Sequence, residues 1–437
     1  KLEGMSAPIV NTSDRGTGKV PFLRICSAAW LLLGVLAWGV AAGADHEDLR
    51  QAGARHYAAG RYFQAIEAFE KALAVAPDAA KGPIKGDLAH AIAGMGFEYI
   101  SESEGGLAEE TFRKAIGISE DYYANFGLGY LYFMRHEDGE ARTYLLASLA
   151  AREDYAPTHK LLGLIDYRKG LTREAIERLS LSLRLDPADD ESAFLVKRLK
   201  SEAGVLTSFP SVSIKHFKLK IDPKIPRNLA TRLQVELERN YAALGKALGV
   251  WPRSKVPVVL YSQGRFYEAT GSQHWVGGFY DGQIKLPVPV EVDEKSPAFR
   301  KLLEVLRHEY VHLLIVELAA ECPMWLNEGI AQYFEASYTR DAVYSRLKES
   351  KEIRIPLKKM PARLGKIDDV ALARWVYLQG LGFVEFLAEE YKPFRLRLLL
   401  RAIAEEHSAA AAFERIYGRS TGELEKEWWE RVENPAG

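Results

Sequence analysis

The stretch that decides how this chain is read is HEYVHLLIVELAAECPMWLNEGIAQYFE, residues 308–335. It sets two histidines and a glutamate within five residues, then a second acidic cluster one helix later. In an α-helix, residues four apart lie about 40° from each other around the axis, so His308 and His312 project from one face and one zinc ion can bind both. Glu309 lies beside that pair, near the remaining coordination position, where a carboxylate could take a proton from a water that the metal acidifies. This is an H-E-x-x-H arrangement. The bland alternative is a core helix with two satisfied histidines, because Val305, Leu306, Val311, Leu314 and Ile315 give it an ordinary apolar side. The motif arises by chance in about one chain in fifty of this size. Something must therefore complete the site.

Catalytic zinc takes three protein ligands and keeps a fourth position open. Pro323 breaks the first helix, and NEGIAQYF begins a second that can fold back and present Glu328. The competing role for Glu328 is that of a glutamate favoured by the dipole at a helix start. Metal-bound histidines need an acceptor that fixes their tautomer, and Gln332 and Glu335 are the nearest candidates. Cys322 reads as packing, since thiolate ligation would need different neighbours.

Outward from this stretch, the composition narrows the function classes. The 437 residues suffice for two or three domains. The 58 basic and 59 acidic residues nearly cancel, and without a long run of one sign nothing recommends nucleic acid as a partner. Two cysteines, Cys26 and Cys322, provide no disulfide framework. Residues 25–44, ICSAAWLLLGVLAWGVAAGA, are uncharged, follow Arg15, Lys19 and Arg24, and end in small residues. They read as a signal peptide cleaved before Asp45 or, if uncleaved, as an N-terminal membrane anchor, since twenty residues at about 1.5 Å each could just cross a bilayer.

Between about 46 and 205 one pattern recurs. Gly53, Ala65 and Phe69 fall into register with Gly96, Ala108 and Phe112, with Gly129, Ala141 and Leu145, and with Gly163, Ala175 and Leu179. The last three copies repeat every 33 or 34 residues, and a longer link separates the first. This resembles tetratricopeptide repeats, in which small residues let two helices approach and each unit is covered by the next. Such arrays offer a groove to a peptide or partner protein, or serve as a plain helical spacer. Near 205 the texture changes. VLTSFPSVSIKHFKLKID brings β-branched alternation, residues 226–249 read as an amphipathic helix, and KVPVVLY as a strand. Asp281-Gly282 predicts a hairpin whose two strands both lie near a sheet edge, because prolines interrupt the second.

LRHEYVHLL followed by PMWLNEGIAQYF resembles the gluzincin metallopeptidases, and most of all the bacterial peptidase MA-like domains, over roughly residues 210–430. The resemblance implies that His308, His312 and Glu328 bind one zinc per chain, that Glu309 is the general base, and that the strand pair around GGFYDGQIKLP borders the cleft. It also implies a tyrosine downstream that donates to the oxyanion, for which Tyr377 stands ready; a half-buried tyrosine among Trp375, Phe383 and Phe386 is the plain alternative. Some zincins carry an acidic residue where Gln332 stands. The tail resembles the family's closing helices, with Trp428 and Trp429 as core.

The expected architecture is multidomain. Residues 1–44 form the signal peptide or anchor, 45–205 an all-α tetratricopeptide-repeat solenoid of about four repeats, and 206–437 an α+β zincin-like domain. The expected function is an exported zinc peptidase, periplasmic or secreted, or held at the inner membrane by residues 25–44. Its partners would be a peptide or protein substrate and a protein on the repeat groove, with no nucleic acid and with membrane contact only through an uncleaved N-terminal segment. Substrate would lie extended along the hairpin edge, where Gly277 and Gly278 permit close approach. The alternative is a non-catalytic repeat scaffold with a zincin-like binding domain.

Overall fold

A computed structural model describes residues 45–102, 104–271, 277–335, 339–349, 354–360 and 370–434. The predicted signal peptide or anchor, residues 1–44, lies outside the described residues, among which no helix is long and apolar enough to cross a membrane. The described chain is mostly helical with one small mixed sheet and divides into two compact units.

The first unit runs to Leu131 and includes Tyr144–Glu153. Its helices are α1 (His46–Ala58), α2 (Tyr62–Val75), α3 (Asp78–Ser101), α4 (Gly105–Ile118), most of α5 (Tyr122–Met134) and the second half of α6 (Asp138–Ala151). They pair as hairpins because each first helix carries a glycine that receives a large side chain from the second. A Cβ at Gly53 would lie 2.6 Å from Phe69, one at Gly96 2.6 Å from Phe112, and one at Gly129 2.7 Å from Leu145. Ala65 and Ala108 are fully buried in the same hairpins. The longer link between the first two copies has a simple origin: α3 has 24 residues where α1 and α5 have 13.

The second unit comprises Tyr132–Thr143 and the chain from Asp154 onwards. It begins with α7 (Ala156–Arg168) and α8 (Thr172–Leu185), a fourth hairpin in the same register, in which a Cβ at Gly163 would lie 2.8 Å from Leu179. Helix α9 (Asp190–Leu206) follows, and then β1 (Ser211–Ser213), β2 (Phe217–Ile221), α10 (Arg227–Leu248), β3 (Val256–Ser262), α11 (Gln263–Thr270), β4 (Phe279–Tyr280) and β5 (Ile284–Val288). The remainder is helical: α12 (Pro297–Leu318), α13 (Met324–Glu335), α14 (Arg340–Glu349), α15 (Val370–Tyr391), α16 (Phe394–Glu406), α17 (Ala409–Tyr417) and α18 (Thr421–Glu433).

The sheet order is β1-β2-β3-β5-β4, parallel at its centre and antiparallel at both ends. Strand β5 is therefore interior, which corrects the expectation that both hairpin strands lie near an edge. Its Pro287 is tolerated because β4 flanks only Ile284 and Lys285, so no ladder bond from β4 is forfeited there. Alternation sends the strands' side chains to two covered faces. Phe217, Leu219, Val258, Leu260, Ile284 and Leu286 join Leu233 of α10 and Leu302, Leu306 and Tyr310 of α12. Val259, Tyr261 and Phe279 turn the other way, onto Phe266 of α11, Leu206 of α9 and Phe209. The sequence changes texture at 205, yet α7 to α9 lie in the same compact unit as the sheet, since α9 supplies the cover for its second face.

Candidate metal centre

Helix α12 starts cleanly: Pro297 stands in its first turn, and the Ser296 side chain accepts from the Phe299 N–H at 3.1 Å. Burial of Leu302, Leu306 and Tyr310 against the sheet fixes its rotation. His308 and His312 then point together, with their Nε2 atoms 3.0 Å apart. Helix α13 returns after Pro323 with Leu326 and Ile330 buried, and brings Glu328 Oε2 to 3.5 Å from His308 Nε2 and 3.6 Å from His312 Nε2. Three ligands at about 2.0–2.1 Å in a tetrahedron would stand roughly 3.3 Å from one another. Edges of 3.0 to 3.6 Å therefore fit a zinc ion. Glu328 Oε2 is buried without a hydrogen-bond partner, an orphaned acceptor that a cation would satisfy. Among the described residues this is the group of three metal-ligating side chains that could share an ion.

The approach of α13 depends on a contact that sequence reading missed. A Cβ at Gly329 would fall 2.4 Å from Gly380 O, and one at Gly380 2.4 Å from Trp325 O, so α13 and α15 cross backbone to backbone. Any larger residue at either position would push Glu328 away from the histidines. The same crossing brings Tyr377, one turn before Gly380 on α15, near the site: burial raises its phenol pKa, and the charges of Glu328 and Glu309 raise it further. A phenol so held remains a proton donor. Trp375, Phe383 and Phe386 around it are buried, as are Trp428 and Trp429.

Electrostatics separate the carboxylates. Glu309 is buried, which raises its pKa; the charges of the two histidines act the other way. Glu328 is also penalised by burial, yet His312 and His308 pull its pKa below the ordinary value. His308 is lowered by burial but raised overall, to about 10, by Glu328, Glu335 and Glu309. This is the signature of a ring facing carboxylates that a cation would neutralise.

The outer nitrogens of the histidines are engaged differently from the expectation. Glu335 Oε2 stands 2.9 Å from His308 Nδ1, and Lys301 Nζ donates to Glu335 Oε1 at 2.7 Å. His312 Nδ1 is bonded at 2.7 Å to Asn327 Oδ1, a residue not singled out in the sequence. Glu335 and Asn327, and not Gln332, therefore meet the two rings. Cys322 is half-buried against the core, its thiol pKa pushed up by burial, which suits packing. Gly278 has φ +153°, and a Cβ there would lie 2.8 Å from Leu286 Cδ2 and 3.0 Å from Val305. Its glycine is thus required by backbone and packing irrespective of substrate, and a valine there would be strained. Gly277 is exposed, and a Cβ on it would make ordinary contact with Val305 at 3.4 Å.

Residues 239–434 match the family model of the peptidase MA superfamily. This supports a zincin-like peptidase domain and a metallopeptidase-type enzyme, in a superfamily that is generally zinc-dependent. The matched segment starts within α10 and takes in β3 to β5, α12, α13 and α15, hence all of the candidate centre. A search of curated proteins found no match.

Proposed function

We propose that the chain is an exported zinc peptidase of the gluzincin type, with His308, His312 and Glu328 holding one zinc and Glu309 as general base. The observation that carries this reading is the convergence of two imidazoles and one carboxylate within 4.8 Å, with Glu328 Oε2 buried and unpartnered. Bound zinc would act as a Lewis acid on the scissile carbonyl and lower the pKa of a water. Glu309, whose proton affinity burial has raised, takes the proton of the attacking water and delivers it to the departing amine. Tyr377, kept neutral, donates to the oxygen on which negative charge develops. Asn327 and Glu335 orient the imidazoles. Peptide lies extended along β4, the strand at the sheet edge, where free backbone groups bind a chain without demanding one sequence. The uncharged run at residues 25–44 supports export, and the hairpins supply a tetratricopeptide-like array for substrate or a protein partner.

The test is elemental analysis of residues 45–437 together with digestion of a broad peptide library. One zinc per chain and cleavage are expected, and Glu309→Gln should keep the zinc and lose cleavage. A folded protein that takes up no zinc and gains no melting temperature from it would remove the basis of the reading. Zinc binding without cleavage of any peptide would favour the scaffold alternative.

A further inference from the structure

The second face of the sheet holds a buried polar cluster that the metal centre does not use. Lys285, on β5, is only 1 % exposed, and its Nζ donates to Glu202 of α9 at 2.8 Å and to the Tyr167 hydroxyl of α7 at 2.5 Å. Tyr167 in turn donates to Asp281 Oδ2 at 2.6 Å, in the turn between β4 and β5. Gln283 Nε2, in the same turn, donates to the Tyr167 backbone carbonyl at 2.9 Å, and Tyr261 of β3 donates to Glu202 at 2.8 Å. Arg198 of α9 faces Asp281 at 3.6 Å, so two cations balance two carboxylates. The turn is also seated sterically: a Cβ at Gly282 would lie 2.8 Å from Arg168 Cγ. A cluster this enclosed is costly unless every member keeps its partner, so it tolerates one arrangement of the hairpin against α7 and α9.

That hairpin packs on α12, the helix of Glu309: a Cβ at Gly278, next to β4, would lie 3.0 Å from Val305 of α12. We infer that α7 and α9 clamp the β4–β5 hairpin, and that Tyr167, Glu202 and Lys285 are positioning residues that set where β4 stands against α12 and its Glu309. The helices read from sequence as the end of a repeat array thus form part of the catalytic framework. The catalytic half of this inference rests on the peptidase reading; the anchoring half stands on the cluster alone.

Two measurements on residues 45–437 keep those halves apart: amide hydrogen exchange across residues 277–288, and steady-state hydrolysis. Tyr167→Phe keeps the ring and removes the hydroxyl between Lys285 and Asp281; Gln283→Leu removes a different tie to α7. Leu179→Ala, whose side chain packs on Gly163 of α7 and is not a member of the cluster, serves as a control of matched or greater loss of melting temperature. Both cluster variants should exchange the β4 and β5 amides about tenfold faster. With zinc content unchanged, their kcat should fall about tenfold, because a small displacement of a catalytic group is enough for that. Leu179→Ala should do neither. Unchanged exchange in both cluster variants would overturn the clamp, and so would an equal fall in kcat in Leu179→Ala. Faster exchange in variants of a parent that hydrolyses no peptide would support the anchoring and sink the peptidase reading.

Discussion

The two faces of the sheet are closed by different physics. Towards α10 and α12 the cover is apolar throughout, and the metal centre is built on that side, on helices whose rotation is set by leucines and a tyrosine. Towards α7 and α9 the centre of the cover is ionic, with Lys285, Glu202 and Asp281 sharing hydrogen bonds with two tyrosines. Apolar burial rewards volume and is largely indifferent to small shifts, whereas a buried charged cluster is favourable only in one geometry. The difference teaches which side gives the catalytic domain its stability and which gives the hairpin its position.

Four predictions would break or sharpen that contrast. The largest effect is expected from Lys285→Ala, which leaves two carboxylates buried against one remaining cation and should cost about 3–5 kcal/mol in urea unfolding. The pair Lys285→Met with Glu202→Leu keeps Arg198 and Asp281 balanced and should recover most of that loss. If Lys285→Ala costs under about 1 kcal/mol, the faces are not different in kind. On the apolar side, Leu260→Ala should cost about 2–5 kcal/mol through the cavity it opens, and Leu260→Met less than about 1.5 kcal/mol. A Leu260→Met penalty as large as that of Leu260→Ala would mean this face too demands one shape.

The third prediction moves from the core to the site resting on it. Asn327→Ala should weaken zinc binding about 10- to 100-fold, read by competition with a chelator, because His312 loses the group that orients its ring. The smallest effect concerns a carboxyl that lacks what Glu202 has. Glu385 Oε2 on α15 is buried without a hydrogen-bond partner, and burial raises its pKa from 4.5 to about 7. Its folded pKa lies above the unfolded value, so the folded protein holds an extra proton between about pH 4.5 and 7. Stability from this group is complete at the acid end, falls as pH rises through that window, and is flat above it. Glu385→Gln should therefore stabilise at pH 8 by about 1 kcal/mol, a value reduced for partial exposure, and should change nothing at pH 4. Equal melting-temperature shifts at both pH values would contradict this.

What could be read in the sequence was local or periodic. His308 and His312 are one helical turn apart, and Glu328 follows a proline break, so helix geometry alone suggested that the three could meet. The glycines at 53, 96, 129 and 163 recur with their bulky partners sixteen residues on, at Phe69, Phe112, Leu145 and Leu179, so the hairpins were legible as well. The rest depended on contacts between distant parts of the chain. Gly380 carries no sign that it will meet Gly329, and nothing local distinguishes Asn327 from Gln332 as the partner of a ring until the rotation of α13 is known. The union of α7 to α9 with the sheet was concealed by their repeat-like pattern.

The hydrogen bonds from Tyr167 to Asp281 and from Lys285 to Tyr167 join residues 114 and 118 positions apart. During synthesis, α7 and α9 leave the ribosome long before their sheet exists, with Tyr167, Glu202 and Leu206 lacking the surfaces that bury them in the finished protein. Closing such long loops is slow. The nascent chain thus passes through a stage in which the first hairpins can already be folded while the last helices wait for Lys285. A chaperone that holds the chain through that interval would act on these helices first, and a truncation upstream of β5 would leave them as a target for proteolysis.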